Sequence, residues 1–370
     1  MKKIVISSNT AWSIYNFRLN LIRILKEEGY EIIIVAPYDE CAKKLKGEFE
    51  YYDIFINNKG TNPFEDIKTF MQYCKLYKKL KPDIVLNFTI KPNIYGTLAC
   101  GLLNIKTINN ITGLGTLFIN QNLVTKIVKY LYKISQKKAA KIFFQNKDDF
   151  YLFINEKLVD KNKCDILPGS GVDVKKFKPI EVKKKDNIFR FLLIARMLWD
   201  KGVGEYVEAA KIIKQKYQNV EFQLLGPIGV DNPKAISKDQ IDKWVKEGIV
   251  NYLGVTDDVR EYIARADCIV LPSYYREGIP RTLLEAASME KPIITTNSVG
   301  CKEVVDDGIN GFLCRVKDVR DLADKMEKMM NLDEEERKKM GKRGRKKVLR
   351  KFDEKIIIER YLSVIRSMLR

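Results

Sequence analysis

The chain alternates between short apolar runs and longer segments in which apolar residues recur at helical spacing. In the first half, the runs KIVISS, EIIIVAP, DIVLNF, KTINN and KIFFQN are typical of buried strands, and helical segments separate them. This alternation predicts βαβ units, and therefore a parallel sheet that helices cover on both faces.

A second series of the same kind follows. It comprises FRFLLIAR, a helix over residues 203–216, VEFQLLG, NYLG, a helix from Asp257, DCIVLPS and KPIITT. Between the two series, the Gly, Pro and lysine run of DILPGSGVDVKKFKPIEVKKKDN indicates a linker.

We therefore predict an α/β fold with two tandem Rossmann-like, doubly wound domains that face a cleft. The domains span residues 1–170 and 171–350, and ligands should bind beyond the carboxyl ends of their strands. Residues 351–370 predict a helix that packs on a domain surface, with the N-terminal domain as the candidate.

Composition excludes several kinds of chemistry. The chain has no histidine, which rules out a Ser-His-Asp triad, a Cys-His pair and a histidine-ligated metal. It has no D-x-D sequence, and its seven cysteines lack CxxC spacing, so we predict no metal site. Scattered cysteines of odd number favour a reducing compartment.

The net charge of +19 is uneven. Residues 1–180 hold 29 Lys and Arg against 17 Asp and Glu, and nine lysines but no acid lie between Asp83 and Asp148. A polyanionic partner such as nucleic acid, anionic lipid or a phosphorylated acceptor would explain this. The alternative is a generally basic composition with surface lysines that serve solubility.

Neither a signal peptide nor a membrane span is expected. MKK leads into only the short apolar run IVI, and the longest uncharged stretch, residues 107–125, is rich in Asn, Thr, Gln and Gly. We expect a cytoplasmic protein that is able to touch a membrane. The lysines of NLVTKIVKYLYKISQKK recur at helical spacing beside Leu, Ile and Tyr, which favours either a helix on an anionic membrane surface or an ordinary solvated face. These lysines are Lys126, Lys129, Lys133 and Lys137.

The stretch REGIPRTLLE lies between a strand and a helix. Pro280 suits the first helical turn, where its missing N–H costs nothing. The backbone N–H groups from Gly278 through Thr282, including that of Ile279, would then bind a phosphate at the positive end of the helix.

Two carboxylates flank this phosphate site. We expect Glu277 to accept hydrogen bonds from a sugar and Glu285 from both hydroxyls of a ribose. For Glu285, a helix-dipole role is an equal alternative. Arg196 and Lys201, in ARMLWDKG, could neutralise a diphosphate in place of a metal, although each alone is more often a surface cation.

Together these residues resemble the retaining, metal-independent glycosyltransferases of the family 4 group, which have the GT-B fold. The similarity extends over the whole chain, and YREGIPRTLLEAAS through DDGINGFL resembles the donor-binding half. NFTIKPNIYG and NITGLGTLFIN resemble the bacterial subgroup that builds lipid-linked glycans.

The resemblance implies roles for individual residues. Arg196 and Lys201 would hold the diphosphate of a UDP-sugar, Glu277 the donor sugar and Glu285 the ribose. Val255 and Thr256 would lie near uracil, and the first loop would face the diphosphate through Ala11, Trp12 and Ser13. The acceptor candidates are Arg18, Lys91 and Gly113.

Two departures bear on this. Many relatives have Gly-Gly where this chain has Thr10-Ala11, and many have a histidine near the donor sugar where this chain has Ile90. The first could reshape the loop. The second removes a hydrogen bond to the sugar.

The resulting expectation is a retaining transferase that needs no metal or cofactor. It would move an N-acetylhexosamine, with N-acetylgalactosamine favoured, to a polyprenyl-diphosphate-linked saccharide on the inner face of the bacterial plasma membrane. The alternatives are a UDP-N-acetylglucosamine 2-epimerase-like isomerase and a transferase with another donor. A dehydrogenase is disfavoured because KGVGEYV fails the G-x-G-x-x-G pattern. Nucleic-acid binding would leave the two glutamates unexplained.

Overall fold

Regular secondary structure accounts for most of the chain in the computed structural model. The structure describes residues 1–58, 60, 62–118, 123–184 and 186–370, without the side chains of residues 116 and 117. Part of the uncharged stretch and of NITGLGTLFIN, and Lys185 in the predicted linker, lie outside these ranges. The described strands are Lys3–Ser7 (β1), Glu31–Ala36 (β2), Glu50–Asp53 (β3), Ile84–Phe88 (β4), Lys106–Ile111 (β5), Lys141–Phe144 (β6), Cys164–Ile166 (β7), Phe189–Ile194 (β8), Val220–Leu225 (β9), Asn251–Tyr252 (β10), Cys268–Leu271 (β11), Ile293–Thr296 (β12) and Gly311–Cys314 (β13).

Helices lie between many of these strands, and three follow the last one. They are Ala11–Glu27 (α1), Glu40–Lys46 (α2), Pro63–Leu80 (α3), Thr97–Leu102 (α4), Leu123–Gln136 (α5), Lys147–Asn155 (α6), Val203–Lys216 (α7), Lys238–Lys246 (α8), Arg260–Arg265 (α9), Arg281–Ser288 (α10), Val319–Asn331 (α11), Glu334–Lys351 (α12) and Glu354–Leu369 (α13). Among the described residues, no helix combines the length and apolarity needed to cross a bilayer.

The chain forms two compact units, each with its own parallel sheet. Unit 1 consists of Met1–Ser170 and Ile356–Arg370, and unit 2 of Gly171–Lys355. Within the described residues, unit 1 has the strand order β3-β2-β1-β4-β5-β6-β7 and unit 2 the order β10-β9-β8-β11-β12-β13. The prediction of two doubly wound α/β domains is confirmed.

The predicted apolar runs all became strands, but three further strands were not predicted. β3 and β7 are short edge strands whose residues are only partly buried or exposed, so no apolar run marks them. β13, with the sequence GFLC, is one of the two edge strands of the described sheet in unit 2 and pairs with β12. The helix predicted from Asp257 begins at Arg260.

The predicted linker is partly core. Val172, Val174 and Phe177 are at most 9% exposed and pack with β8, β11 and α10 in unit 2. Apolar residues in a segment rich in Gly, Pro and Lys therefore anchor the beginning of the second unit.

The last helix, α13, packs on unit 1. Ile357, Ile358, Tyr361, Leu362 and Ile365 are buried among residues of α1, β1 and β4. The Tyr361 ring packs edge-on against Phe143, with a centroid distance of 5.2 Å, and its hydroxyl oxygen accepts a hydrogen bond of 2.6 Å from Asn110 Nδ2. A single tyrosine therefore joins α13 to β5 and β6.

Replacing Tyr361 should destabilise the protein in two steps. Tyr361→Phe leaves the buried Asn110 amide without this acceptor and should cost about 1 to 2 kcal/mol. Tyr361→Ala also opens a cavity and should cost about 3 to 5 kcal/mol. Urea unfolding followed by circular dichroism measures both, and Tyr151→Ala, at a 55% exposed position, is the control. Equal stability of all three variants would show that α13 does not depend on Tyr361.

Candidate functional site

The loop after β8 and the loop after β11 interlock in unit 2. The carbonyl oxygen of Asp200 accepts hydrogen bonds from the backbone N–H groups of Tyr274 and Tyr275, each 3.0 Å long. Gly202 has φ +76°, and a Cβ there would overlap the backbone of Pro272. This close approach places Lys201 directly beside the loop that carries Glu277.

Lys201 and Glu277 form an ion pair across these two loops. Their side chains are only 13% and 12% exposed. Ser273 Oγ lies 3.1 Å from Glu277 Oε1, and the Lys201 ammonium lies 5.0 Å from the centroid of the Tyr275 ring. Removal of either charge would take the ion-pair partner from a nearly buried group, which is strongly destabilising in general.

Arg196 adds an available cation to this end of the sheet. It follows β8 by two residues and is exposed. Its side chain makes no hydrogen bond or ion pair with the residues that the structure describes. An unengaged guanidinium presents a planar fork of N–H donors, which suits a phosphate or carboxylate.

Two hydroxyl groups, at the end of β12 and in the loop after it, bind the loop that carries Glu277. Thr296 Oγ1 donates to the Ser273 carbonyl oxygen, and Ser298 Oγ donates to the same oxygen over 3.0 Å. Gly300 has φ +83°, and a Cβ there would overlap the backbone of Gly278. These supporting residues were not predicted, although Ser and Thr at the carboxyl end of a strand in a parallel sheet are a usable signal.

Helix α10 starts one residue later than predicted. Pro280 precedes the helix as its N-cap, with φ −63° and ψ 119°, and forms no side-chain cap. Ile279 is 8% exposed and belongs to the core, so only its backbone is suited to contact a ligand. Thr282, in the first turn, is half-buried.

Glu285 lies on α10 and is 9% exposed. Burial raises its pKa to about 7, against the opposing effects of the Arg281 guanidinium and of Lys176. Arg281 Nε lies 3.3 Å from Glu285 Oε1. The Asp258 carboxylate raises the same pKa, which links Glu285 to the loop after β10.

That loop carries the two residues assigned to the base. Val255 is 66% exposed. The hydroxyl oxygen of Thr256 accepts a hydrogen bond of 3.1 Å from the Asp258 N–H. The loop is thus held by its own turn, with one apolar side chain open to solvent.

In unit 1, the beginning of α1 already has internal hydrogen-bond partners. Thr10 caps the helix, and its hydroxyl accepts from the Ser13 N–H over 3.1 Å. The Trp12 N–H donates to Asp39 Oδ2 over 2.8 Å. Ala11 is buried, whereas the Trp12 side chain is 52% exposed. At Thr10 φ is −152°, a conformation that does not require glycine, so threonine fits here without strain.

The acceptor candidates of unit 1 differ in their surroundings. Arg18 is 5% exposed, with its guanidinium 4.5 Å from the centroid of the Phe88 ring. Lys91 pairs with Asp66 Oδ1 at 2.5 Å. Gly113 has φ +110° at the end of β5, and Ile90 packs against an apolar cluster. In the described part of the chain, no cluster of three or more Cys, Asp or Glu could hold a metal ion.

Two family profiles match the chain. Residues 174–347 match "Glycosyl transferases group 1" and residues 3–146 match "Glycosyl transferase 4-like". The chain is 32% identical over 375 residues, covering 96% of each sequence, to the N,N'-diacetylbacillosaminyl-diphospho-undecaprenol alpha-1,3-N-acetylgalactosaminyltransferase of Campylobacter jejuni. It is 27% identical over 306 residues to the UDP-Gal:alpha-D-GlcNAc-diphosphoundecaprenol alpha-1,3-galactosyltransferase of Escherichia coli, covering 78% of this chain and 76% of that one.

Solved structures share the fold at low sequence identity. A glycosyltransferase from Rickettsia africae superposes with a TM-score of 0.81 at 21% identity, covering 100% of this chain and 99% of that one. Anabaena HepE in complex with UDP superposes with a TM-score of 0.79 at 17% identity, covering 99% of this chain and 100% of that one.

The raised pKa of Glu285 predicts a pH-dependent stability. Between about pH 4.5 and 7 the folded state holds this proton more tightly than the unfolded state, so stability should fall as pH rises through that window. Glu285→Gln removes this term, so its stability relative to the parent should increase by about 2 to 3 kcal/mol from pH 4 to pH 8. Urea titrations at both pH values measure the difference. Glu181→Gln, at an exposed position of the same unit, is the control. If the stability difference between Glu285→Gln and the parent did not change with pH, the raised pKa of Glu285 would be refuted.

Proposed function

Because the chain belongs to the group 1 glycosyltransferases with the GT-B fold, we propose that it transfers a sugar from a UDP-sugar to a saccharide carried on undecaprenyl diphosphate. The donor is an N-acetylhexosamine, with N-acetylgalactosamine favoured, as in the Campylobacter jejuni relative. The buried Lys201–Glu277 pair beside the exposed Arg196 is the observation that carries this proposal.

Unit 2 would bind the donor through both cationic groups and carboxylates. Arg196, Lys201 and the N-terminus of α10 offset the charge of the diphosphate. Glu277 accepts hydrogen bonds from the sugar hydroxyls, and Glu285 accepts them from the ribose when it is ionised. Val255, with Thr256, provides an open apolar contact for uracil.

Lys201 has two anionic partners in this scheme. It pairs with Glu277 in the structure. A bound diphosphate shares the ammonium, which frees one face of the Glu277 carboxylate for the sugar. The ion pair thus holds both side chains in position before the donor arrives, so that little reorganisation remains for the reaction.

The reaction is a substitution on one face of the sugar, with retention of configuration. The bond between C1 and the β-phosphate oxygen breaks as the acceptor oxygen bonds to C1. The acceptor hydroxyl proton passes to the departing phosphate oxygen, so atoms and charge balance without a protein nucleophile. Arg196 and Lys201 stabilise the developing charge on the diphosphate, the task that a metal ion performs in other enzymes.

Unit 1 would serve the acceptor at the cytoplasmic face of the plasma membrane. Arg18, Lys91 and Gly113 are its candidate contacts. The exposed lysines of α5, Lys126 and Lys133, are suited to lipid phosphates. Lys129 is less available because it pairs with Glu156 at 2.7 Å.

A donor screen tests the proposal. UDP-N-acetylhexosamines and UDP-hexoses are offered with undecaprenyl-diphospho-saccharide acceptors, and products are identified by mass spectrometry and by the anomeric coupling constant. We expect one α-linked product and release of UDP. Epimerised nucleotide sugar without transfer, or an inverted linkage, would disprove it.

Substitutions of Glu285 and Glu277 should affect different steps. Glu285→Gln should weaken UDP binding itself, whereas Glu277→Gln should lower kcat and leave the Kd for UDP nearly unchanged. In the parent, UDP affinity should rise between about pH 6 and 8 as Glu285 ionises, and this rise should be smaller in Glu285→Gln. Isothermal titration measures both. An equal loss of UDP affinity in the two variants would overturn the assigned roles.

Arg196 and Lys201 should each contribute strongly to the rate of transfer. Arg196→Ala and Lys201→Ala should cost about 2 to 4 kcal/mol of transition-state stabilisation, the scale of one preorganised electrostatic group. Activity should persist in EDTA. Thermal unfolding measures any stability that Lys201→Ala loses with the ion pair to Glu277. Lys211→Ala is the control at a more exposed position of the same unit. A requirement for added Mg²⁺ would contradict the idea that these cations act without a metal.

A further inference from the structure

A cavity of about 450 Å³ opens on unit 2 beside the loop after β8. Its walls come from that loop, from α7 and α8, and from the beginning of α11. The volume lies in the range of small-molecule sites in proteins. None of the side chains that line this cavity takes part in the proposed transfer reaction.

Two tryptophans form the aromatic part of the cavity. Trp199 is 39% exposed and Trp244 only 5%, and their rings pack edge-on with centroids 5.9 Å apart. The Trp199 ring also lies against Gly204, where a Cβ would come within 2.7 Å of the ring atom Cζ3. Trp199 is therefore a fixed aromatic surface that is partly open to the cavity, and a ligand can pack on it at a low cost in side-chain entropy.

The charged side chains of the cavity are balanced in sign. They are Glu205, Glu208, Glu247, Lys211, Lys243 and Lys317. A cation would meet as many lysines as glutamates, and an anion as many glutamates as lysines, so neither is favoured. The balance suits an uncharged ligand that offers both hydrogen-bond donors and acceptors.

Two half-buried polar side chains of the cavity can bind such a ligand. The amide of Gln240, on α8, makes no hydrogen bond with the residues that the structure describes. Glu205, in the first turn of α7, forms no ion pair within that part of the chain. Burial raises the pKa of the Glu205 carboxyl, against the opposing effects of its own backbone N–H and of Lys317. Hydroxyl groups of a ligand would replace the water that this carboxylate has lost.

The cavity lies next to both loops of the candidate site. Trp199 begins the short 3₁₀ turn that ends with Lys201. The Lys317 ammonium lies 4.5 Å from the centroid of the ring of Tyr274, which belongs to the loop that carries Glu277. Lys317 has φ +59°, a conformation that costs free energy in a residue other than glycine and that is concentrated at functional sites.

We propose that this cavity is a second carbohydrate site, which binds one uncharged pyranose unit of a saccharide. The C–H groups of the pyranose ring pack on Trp199, because the face of an aromatic ring carries negative charge density. The hydroxyl groups of the sugar bind the Gln240 amide and the Glu205 carboxylate. This site shares no residue with the proposed donor site and does not depend on the transfer reaction.

Tryptophan fluorescence can report on the cavity alone. The chain has three tryptophans, so Trp12→Phe leaves only Trp199 and Trp244. The full-length Trp12→Phe protein is titrated with N-acetylgalactosamine, N-acetylglucosamine, galactose and glucose, and with choline and inorganic phosphate as charged probes. We expect a saturable change in fluorescence with at least one of the sugars and none with choline or phosphate.

Substitutions on three different elements test the individual contacts. Trp199→Ala should weaken sugar binding about tenfold, the scale of one aromatic contact, and Trp199→Phe should restore most of it. Gln240→Ala and Glu205→Ala should each weaken it about three- to tenfold, the scale of one hydrogen bond. Saturation-transfer difference NMR measures all of these without a tryptophan. Gln215→Ala, at an exposed position of α7 outside the cavity, is the matched control.

Thermal unfolding shows whether Trp199→Ala keeps its fold, and Gln240→Ala tests the site where the aromatic packing is intact. Parent-like sugar binding in both Gln240→Ala and Glu205→Ala would overturn the proposal, as would the absence of saturable binding by any of the four sugars. Binding of choline or phosphate in place of a sugar would also overturn it.

The donor site is distinguished by Glu277→Gln, which should bind the free sugar as the parent does. If Glu277→Gln lost sugar binding while Gln240→Ala kept it, the sugar would occupy the donor site and the second site would be refuted. Sugar binding that depends on Gln240, with no product in the donor screen, would disprove the proposed function and leave the second site standing.

Discussion

The carbonyl oxygen of Asp200 joins the two loops from which the candidate site is built. It accepts from two successive N–H groups after β11, and Ser273 Oγ lies 3.2 Å from it. This arrangement requires the close backbone approach of Gly202 to Pro272. A side chain at residue 202 would separate the loops, and Lys201 would lose Glu277. The geometry of the candidate site in unit 2 thus depends on one backbone oxygen and one glycine.

Ionisable groups are concentrated at this end of unit 2 at a cost in stability. Lys201 and Glu277 are nearly buried, and Glu285 is held with a pKa of about 7 by desolvation. A protein with well-packed apolar residues of similar size at such positions is often at least as stable. Nearly buried ionisable groups with a shifted pKa, clustered in this way, are typical of functional sites.

The sequence predicted much of the fold because buried parallel strands are continuous apolar runs. It did not predict β3 and β7, which are edge strands with little apolar character. Glu277 and Lys201 could each be selected by local context, yet 76 residues separate them, and only tertiary structure pairs them. The hydrogen bond from the Trp12 N–H to Asp39 could not be predicted either. In the sequence around it, Asp39 indicates only the N-cap of α2.

The two helix N-termini that the sequence assigns to a diphosphate differ in the partners of their first residues. At α1, the Trp12 N–H already binds the Asp39 carboxylate, and the Ser13 N–H binds the Thr10 hydroxyl. A phosphate there would have to displace an internal anion. At α10, Pro280 supplies no side-chain cap, and Arg196 stands exposed on a neighbouring loop of the same unit. Of the two N-termini, that of α10 is therefore the better suited to an added anion. Thr10 agrees with this, because its hydroxyl already satisfies an N–H group in the first turn of α1.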